Sequence, residues 1–264
     1  MGYGNKIYIH TIKGKINMDN TNYIALSRQM ALWKQMDIVS NNMANMNTAG
    51  YKQDDVLFTS YLVQTPQAEG IGRAPLYFTQ DYGSIQNFAE GSLAQTGNTF
   101  DVAIQGDAFF CVDTQGGERY TRKGQFSLDN DGKLITNEGA VVLSEADAPI
   151  FIAPGETEVT ITESGDVITE NGLVARLKLA SFADNQKLLK VAGTMFENVP
   201  GNTMVVGYDN VKVAQGMIEK SNVNAIEEMT KLIKIQRSYD YVQQMIDEEH
   251  DRISNTISTY AQLA

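Results

Sequence analysis

Cysteine, histidine, cationic side chains and long apolar runs are all scarce in this chain of 264 residues. Cys111 is its one cysteine, so no intramolecular disulfide can form, and with only His10 and His250 to accompany it no thiolate–imidazole zinc cluster can be built. Lys and Arg number 21 against 32 Asp and Glu, a net charge of −11. Binding to a polyphosphate depends on a cluster of cations that releases counterions, and that balance argues for protein partners and no nucleic acid. No stretch approaches the roughly 20 apolar residues of a membrane helix. The N-terminus has no apolar core followed by a small-residue cleavage site. The sequence thus predicts no membrane insertion, and any passage out of the cytoplasm would use a route without a cleaved signal. Helix breakers are unevenly placed. The five prolines all lie between Pro66 and Pro200, and glycine is missing from Met18 to Ala49 and again after Gly216. Hydrophobic residues still make up 42%, enough for a buried core.

The ends read as helices. From Ile24 to Met46 the apolar residues recur at helical spacing in two rows, Leu26, Met30, Trp33 and then Leu32, Met36, Val39, Met43, Met46. Between Asn20 and Gly50 only Arg28, Lys34 and Asp37 are charged, too few to solvate the outside of a lone helix. Asn20, Thr21 or Asn22 would cap its start, and Gly50 would take the left-handed position past its end. At the other end Leu232, Ile235, Tyr239, Val242, Ile246 and Ile253 follow the alternating 3,4 spacing of a coiled-coil seam. Glu249 interrupts it, and Ile257 and Tyr260 resume one position out of step, a stutter that predicts local unwinding. Ser221 or Asn222 would cap a helix of roughly 40 residues there, a length that implies a helical partner.

Between the ends the chain reads as strands. Phe100, Val102 and Ile104 alternate with polar residues, as do Phe126 with Leu128 and Val159 with Ile161. Turn signals separate them at Gln115–Glu118, Asp129–Gly132, Glu163–Asp166 and Asn171-Gly172. The expected class is mixed α and β: an all-β central domain inserted between N- and C-terminal coiled-coil-type helices. The expected boundaries are an extension at 1–17, a helix over 18–50, a connecting segment over 51–75, a β-rich domain over 76–214, and a second helix over 215–264 that packs with 18–50.

Chemistry-bearing patterns are few. Ser127, Asp129, Asp131, Gly132 and Glu138 fall at calcium-loop positions, but strand-like flanks replace the two helices such a loop requires, so a polar hairpin turn is expected. Cys111 follows Phe109-Phe110 with nothing nearby to activate a thiol, and reads as core filler. His250 sits on a solvated acidic face, and Gly70-Ile71-Gly72 lacks the third glycine of a dinucleotide loop. No catalytic, cofactor or metal site emerges, and the chain reads as a non-enzyme.

Several longer stretches resemble a known family. Leu26-Ser27-Arg28-Gln29-Met30 and the run from Asp37 to Lys52 are similar to the N-terminal signature of bacterial flagellar rod and hook proteins. In order, Gln95–Phe110, Tyr120–Phe126 and Gln215–Asn224 resemble the family's central β segment, its next strand and the approach to its C-terminal helix. Within the family, the wording at Leu26–Met30 and the short connection from Thr65 to Asp81 are more like proximal than distal rod members. The resemblance implies a structural axial protein of the basal-body rod, stacked through its terminal helices and transmitting torque to hook and filament. It implies proximal and distal rod subunits as partners, with copies of the chain itself an open question. It also implies periplasm-spanning localisation and export through the flagellar type III apparatus. Phe58 and Leu62 fit the Phe-x-x-x-apolar element read during that export. The subunit-interface candidates are Leu26, Met30, Trp33, Met36, Val39, Met43, Met46, Leu232, Ile235, Tyr239, Val242, Ile246 and Ile253. A distal rod or hook-type axial protein, or a secreted β-rich adhesin, remain the alternatives. The chain departs from the family pattern at 1–17, which precede Met18-Asp19, where such proteins usually begin.

Overall fold

The computed structural model describes residues 17–63, 76–156, 158–207 and 211–263, without the side chains of 17–21, 58–82 and 263. The candidate extension up to residue 16 and Gly70-Ile71-Gly72 lie outside the described residues. Two helices bracket a β-rich region: α1, Asn17–Ala44, and α2, Ala225–Leu263. The class is mixed α and β.

Contacts divide the chain into two compact units, one from Met1–Asp37, Val56–Gly83 and Lys231–Ala264, the other from Ile38–Asp55 and Ser84–Thr230. In the first, a small apolar cluster joins the helices: Ala25, Leu32 and Val242 are buried, with Ile235, Tyr239 and Ile246 packed against them. Gln29 donates to Gln243 across the same pair at 2.7 Å.

The second unit holds most of the β structure. Its largest sheet has the order Leu188–Ala192, Met195–Asn198, Gly117–Thr121, Phe109–Thr114, Val141–Val142, Leu134–Thr136, Phe126–Leu128. Leu179–Phe182 also pairs with Phe109–Thr114 and with Met204–Val206. Successive strand residues face opposite ways, so Phe110 and Val112 enter one core with Ile104, Leu134 and Leu179, while Phe109 and Cys111 enter another with Phe182 and Phe196. Burial on both faces explains why its first four residues, Phe109–Val112, form an apolar run and do not alternate. A three-stranded sheet of Thr160–Ile161, Asp166–Thr169 and Gly172–Arg176 adds Ile161 and Val167 to the first core. Two ribbons, Val102–Gln105 with Lys212–Gln215 and Leu93–Gln95 with Met217–Glu219, bring the end of the β region back to its beginning. Gln53–Val63 and Leu76–Asn87 pair as a further two-stranded sheet, so the stretch expected as a connection contains a strand.

The turns stand where the polar and glycine signals fell. Gln115–Gly116 joins the strands that close at Thr114 and Gly117. At the calcium-like loop, Phe126–Leu128 and Leu134–Thr136 are antiparallel, and the Asp129 carboxylate accepts from the backbone N–H of Asp131 and Lys133 at 2.9 and 2.8 Å. That carboxylate shapes a hairpin. The Asn171-Gly172 signal is displaced by one: Glu170–Asn171 form the loop, and Gly172 opens the next strand opposite Thr169 at φ +116°.

The helix ends correct the sequence reading in three places. First, α1 already runs from Asn17, ahead of the expected caps at Asn20–Asn22. Second, it stops at Ala44, which puts Met46 beyond the helix and Gly50 six residues past the end. Gly50 has φ +68°, but its reason is close approach: a Cβ there would lie 2.4 Å from the Lys123 backbone nitrogen. Third, α2 is capped by Asn224, whose Oδ1 accepts from the Ile226 N–H at 3.1 Å and whose Nδ2 donates to Glu227 at 3.1 Å. Ser221 and Asn222 precede it, after the strand Met217–Glu219. The expected length holds: α2 runs 39 residues through Glu249, which pairs with Arg252 one turn on at 2.8 Å.

Cys111 is fully buried, and burial pushes its thiol well above the ordinary 9.0. The fold keeps the thiol protonated where the unfolded chain would ionise it, so this contribution is complete below pH 9.0 and is lost as pH rises above it. Thermal melts should therefore fall in midpoint above pH 9.0, and Cys111→Ala should flatten the first part of that decline. Parallel pH–melting curves for the two chains check this; equal slopes would remove the thiol as the cause.

Candidate assembly surfaces and their polar junction

The first surface is built on α1, where 3.6 residues per turn place the two apolar rows roughly 130° apart. Leu32 and Val39, from the second row, are buried, and Ala25 lines up with them. The first row is uncovered: Leu26, Met30 and Trp33 expose 48, 66 and 62%, and Tyr23 continues the line one turn earlier at 62%. A helix with water on one side selects polar residues there, so four consecutive apolar positions at 3,4,3 spacing make this side of α1 an unpartnered apolar face.

The seam on α2 is largely occupied within the chain. Val242 is 3% exposed, and Ile235, Tyr239 and Ile246 lean on the same cluster as α1's Ala25 and Leu32. Leu232 and Ile253, like Met36 and Met43 on α1, are half-buried, while Met46 is exposed. Sequence spacing could not separate residues that satisfy one another from residues left over. Tyr241 and Met245, one turn apart on α2, are exposed, as are Ile257 and Tyr260 further along. Phe58 and Leu62 lie in the strand Gln53–Val63, and their side chains fall outside the described residues.

In the second unit, the end of α1 and the segment after it are fastened to the first turn of α2 and the segment before it by a buried polar junction that sequence reasoning missed. Asn42 uses its whole amide: Nδ2 donates to the Asp54 carbonyl at 2.8 Å and to Glu228 Oε2 at 3.0 Å, and Oδ1 accepts from the Asp54 N–H at 3.0 Å and the Tyr51 hydroxyl at 3.1 Å. Glu228, buried in the first turn of α2, also accepts from Gln53 Nε2 at 3.0 Å. Asn222 explains its absence from the helix cap: it accepts from the Gln53 N–H at 2.8 Å and donates to the carbonyls of Asn87 and Ala89 at 2.7 and 3.0 Å.

Beside this lies a charge triad. Lys52 Nζ donates to Glu219 Oε1 at 2.7 Å and to the Ala89 carbonyl at 2.8 Å. Glu219 Oε1 also accepts from the Gly91 N–H at 2.8 Å, and its Oε2 faces Arg122 at 3.4 Å. Arg122 donates to the Gly106 carbonyl at 2.7 Å, and its guanidinium lies 5.1 Å from the centre of the Phe109 ring. Burial lowers the pKa of the Lys52 ammonium, and the neighbouring Glu219 opposes that shift. Burial, then Asp54 and Glu228, push the Tyr51 phenol up. With its carboxylate saturated by donors, the triad is built to hold position. Among the described residues no group of three His, Cys, Asp or Glu side chains is placed to hold a metal ion, and no helix is long and apolar enough to cross a membrane.

Comparison with known proteins falls on the same segments. Residues 23–52 match the family described as flagella basal body rod protein, residues 103–169 the flagellar hook protein FlgE/F/G D1 domain, and residues 214–259 the flagellar basal body rod FlgEFG protein C-terminal region. The flagellar basal-body rod protein FlgF of Caulobacter vibrioides is 40% identical over 87% of this chain and 93% of its own length. FlgF of Rhizobium meliloti is 34% identical over 90% and 96%. The flagellar basal-body rod protein FlgG of Agrobacterium fabrum is 31% identical over 82% and 90%.

Glu219→Gln should leave two buried cations without their carboxylate and cost about 3–5 kcal/mol of unfolding free energy, as expected for removing one partner of a buried pair. Denaturant titration of the full chain reads this directly. A loss below about 1 kcal/mol, the value of an exposed pair, would show that the triad does not hold the junction.

Proposed function

Because the chain belongs to the flagellar basal-body rod protein family, we propose that it joins the rod by docking the uncovered face of α1 onto helices of neighbouring rod subunits. The chain is a structural component of the bacterial flagellar basal-body rod, and the proximal rod is the part its FlgF-like character supports. One observation carries the docking reading: Tyr23, Leu26, Met30 and Trp33 stay in water on a helix whose other side is already packed.

The energy scale suits assembly. Covering apolar side chains of this size yields on the order of 1.5–3 kcal/mol each before ordering costs, so four of them can drive a contact that recurs along a stack. Neighbouring faces that differ from one another give head-to-tail contacts, and these build a helical shaft when they do not close into a ring. The α1–α2 pair would then be one unit of a larger coiled-coil-like wall, with Met36, Met43, Met46, Leu232 and Ile253 completing its contacts. The role is mechanical, passing torque from motor to hook and filament, and it requires no catalytic group or cofactor. The partners are other axial subunits, and passage through the type III export apparatus, with Phe58 and Leu62 in the recognised element, belongs to the same reading. The adhesin alternative gives no reason for an apolar stripe on a terminal helix.

Two substitutions separate docking from folding. Trp33→Asp alters an exposed position, so it should change the stability of the isolated chain by no more than about 0.5 kcal/mol yet abolish swimming and leave basal bodies without a complete rod. Ile246→Asp places a charge against the internal helix cluster and should lower the melting temperature of the free chain as well. Soft-agar motility with electron microscopy of basal bodies reads the first effect, and calorimetry the second. Normal swimming of the Trp33→Asp strain would end the docking proposal.

A further inference from the structure

The described methionines range from buried to widely exposed, with Met46, Met229 and Met245 at 39, 52 and 38% and Met36, Met43, Met204 and Met217 half-buried. Met195 is 8% exposed in the first β core, whereas Met30 is 66% exposed, in the middle of the line formed by Tyr23, Leu26 and Trp33. A thioether is the most easily oxidised group on such a stripe, and its rate of oxidation follows its access to solvent. Oxidation would turn the apolar centre of the stripe into a polar, chiral group.

We propose that Met30 is an oxidation site that decides whether a free subunit can dock. The inference rests on the docking reading above and adds a chemical control to the same face. A peroxide is the oxidant: one oxygen is transferred to Met30 Sδ, the O–O bond breaks, the sulfide is oxidised by two electrons to the sulfoxide, and the peroxide is reduced to water. The sulfoxide oxygen then stands where a neighbouring helix must exclude water, and burying it without a donor is unfavourable. A methionine sulfoxide reductase reverses the change. Once the subunit is docked, the neighbour shields the sulfur, so sensitivity is confined to the interval before assembly.

The test uses dilute hydrogen peroxide on the purified full-length chain and on isolated basal bodies, with sulfoxide at each methionine followed by peptide mass spectrometry. In the free chain Met30 should oxidise about tenfold or more faster than Met195, and in basal bodies Met30 should be protected by a similar factor. In cells whose own copy is replaced, Met30→Gln, a polar side chain of similar length, should sharply reduce swimming. Met30→Leu should swim normally and continue to build rods through a peroxide pulse that stops assembly with Met30 present. Unchanged melting of the purified Met30→Gln chain confirms that it folds. Equal oxidation of Met30 and Met195 in the free chain, normal swimming of Met30→Gln, or no protection by Met30→Leu would each overturn the inference and leave docking intact. Met30 oxidising as fast in basal bodies as in the free chain would overturn the docking reading itself.

Discussion

A single carboxylate organises the junction on which the terminal segments depend. Glu219 receives Lys52, the Gly91 N–H and Arg122, while its own carbonyl accepts from the Gly50 N–H at 2.8 Å. A buried ion pair adds little net stability compared with apolar residues of the same shape, but its geometry is demanding, and a wrong arrangement leaves a bare charge in the interior. The triad therefore contributes specificity more than strength. It fixes where the chain leaves the first helix and where it approaches the second, and Asn42 and Glu228 repeat that fixing a few residues away.

Apolar packing does the bulk work around this point. In the β region a strand buried on both faces, Phe109–Thr114, divides its side chains between two cores, and in the helical unit the cluster at Ala25, Leu32 and Val242 occupies one side of α1 only. The other side of α1 carries Tyr23, Leu26, Met30 and Trp33, apolar surface that the chain's own packing leaves exposed. Under the docking proposal that face is the one offered to neighbouring subunits, whereas Ile235, Tyr239, Val242 and Ile246 pack with α1 inside the chain itself.

Much of this was legible in the residues, and the failures have physical causes. Helical spacing separated Leu26, Met30 and Trp33 from Leu32 and Val39, because angular position on a helix is a local property. Turn chemistry located the hairpins at Gln115–Gly116 and Asp129–Gly132 for the same reason. The caps were misplaced where a side chain was claimed from afar: Asn222 looks like a helix cap, but the Gln53 N–H and the carbonyls of Asn87 and Ala89 take its hydrogen bonds. Gly50 looks like a helix terminator and is instead a contact point with the backbone at Lys123. The polar junction was invisible because its partners, such as Asn42 with Glu228, are 186 positions apart, and no periodicity links residues at that distance.

The span between Lys52 and Glu219 carries a kinetic consequence. Those two side chains meet across 167 positions, and closing a flexible loop of that length costs on the order of 4–5 kcal/mol in chain entropy. Collapse of the intervening hairpins shortens the effective loop, so the cheapest order of events forms the sheets first and latches the lysine onto its carboxylate last. A polypeptide emerging end-first would then make this contact only once the second partner, 167 positions behind the first, had followed it out.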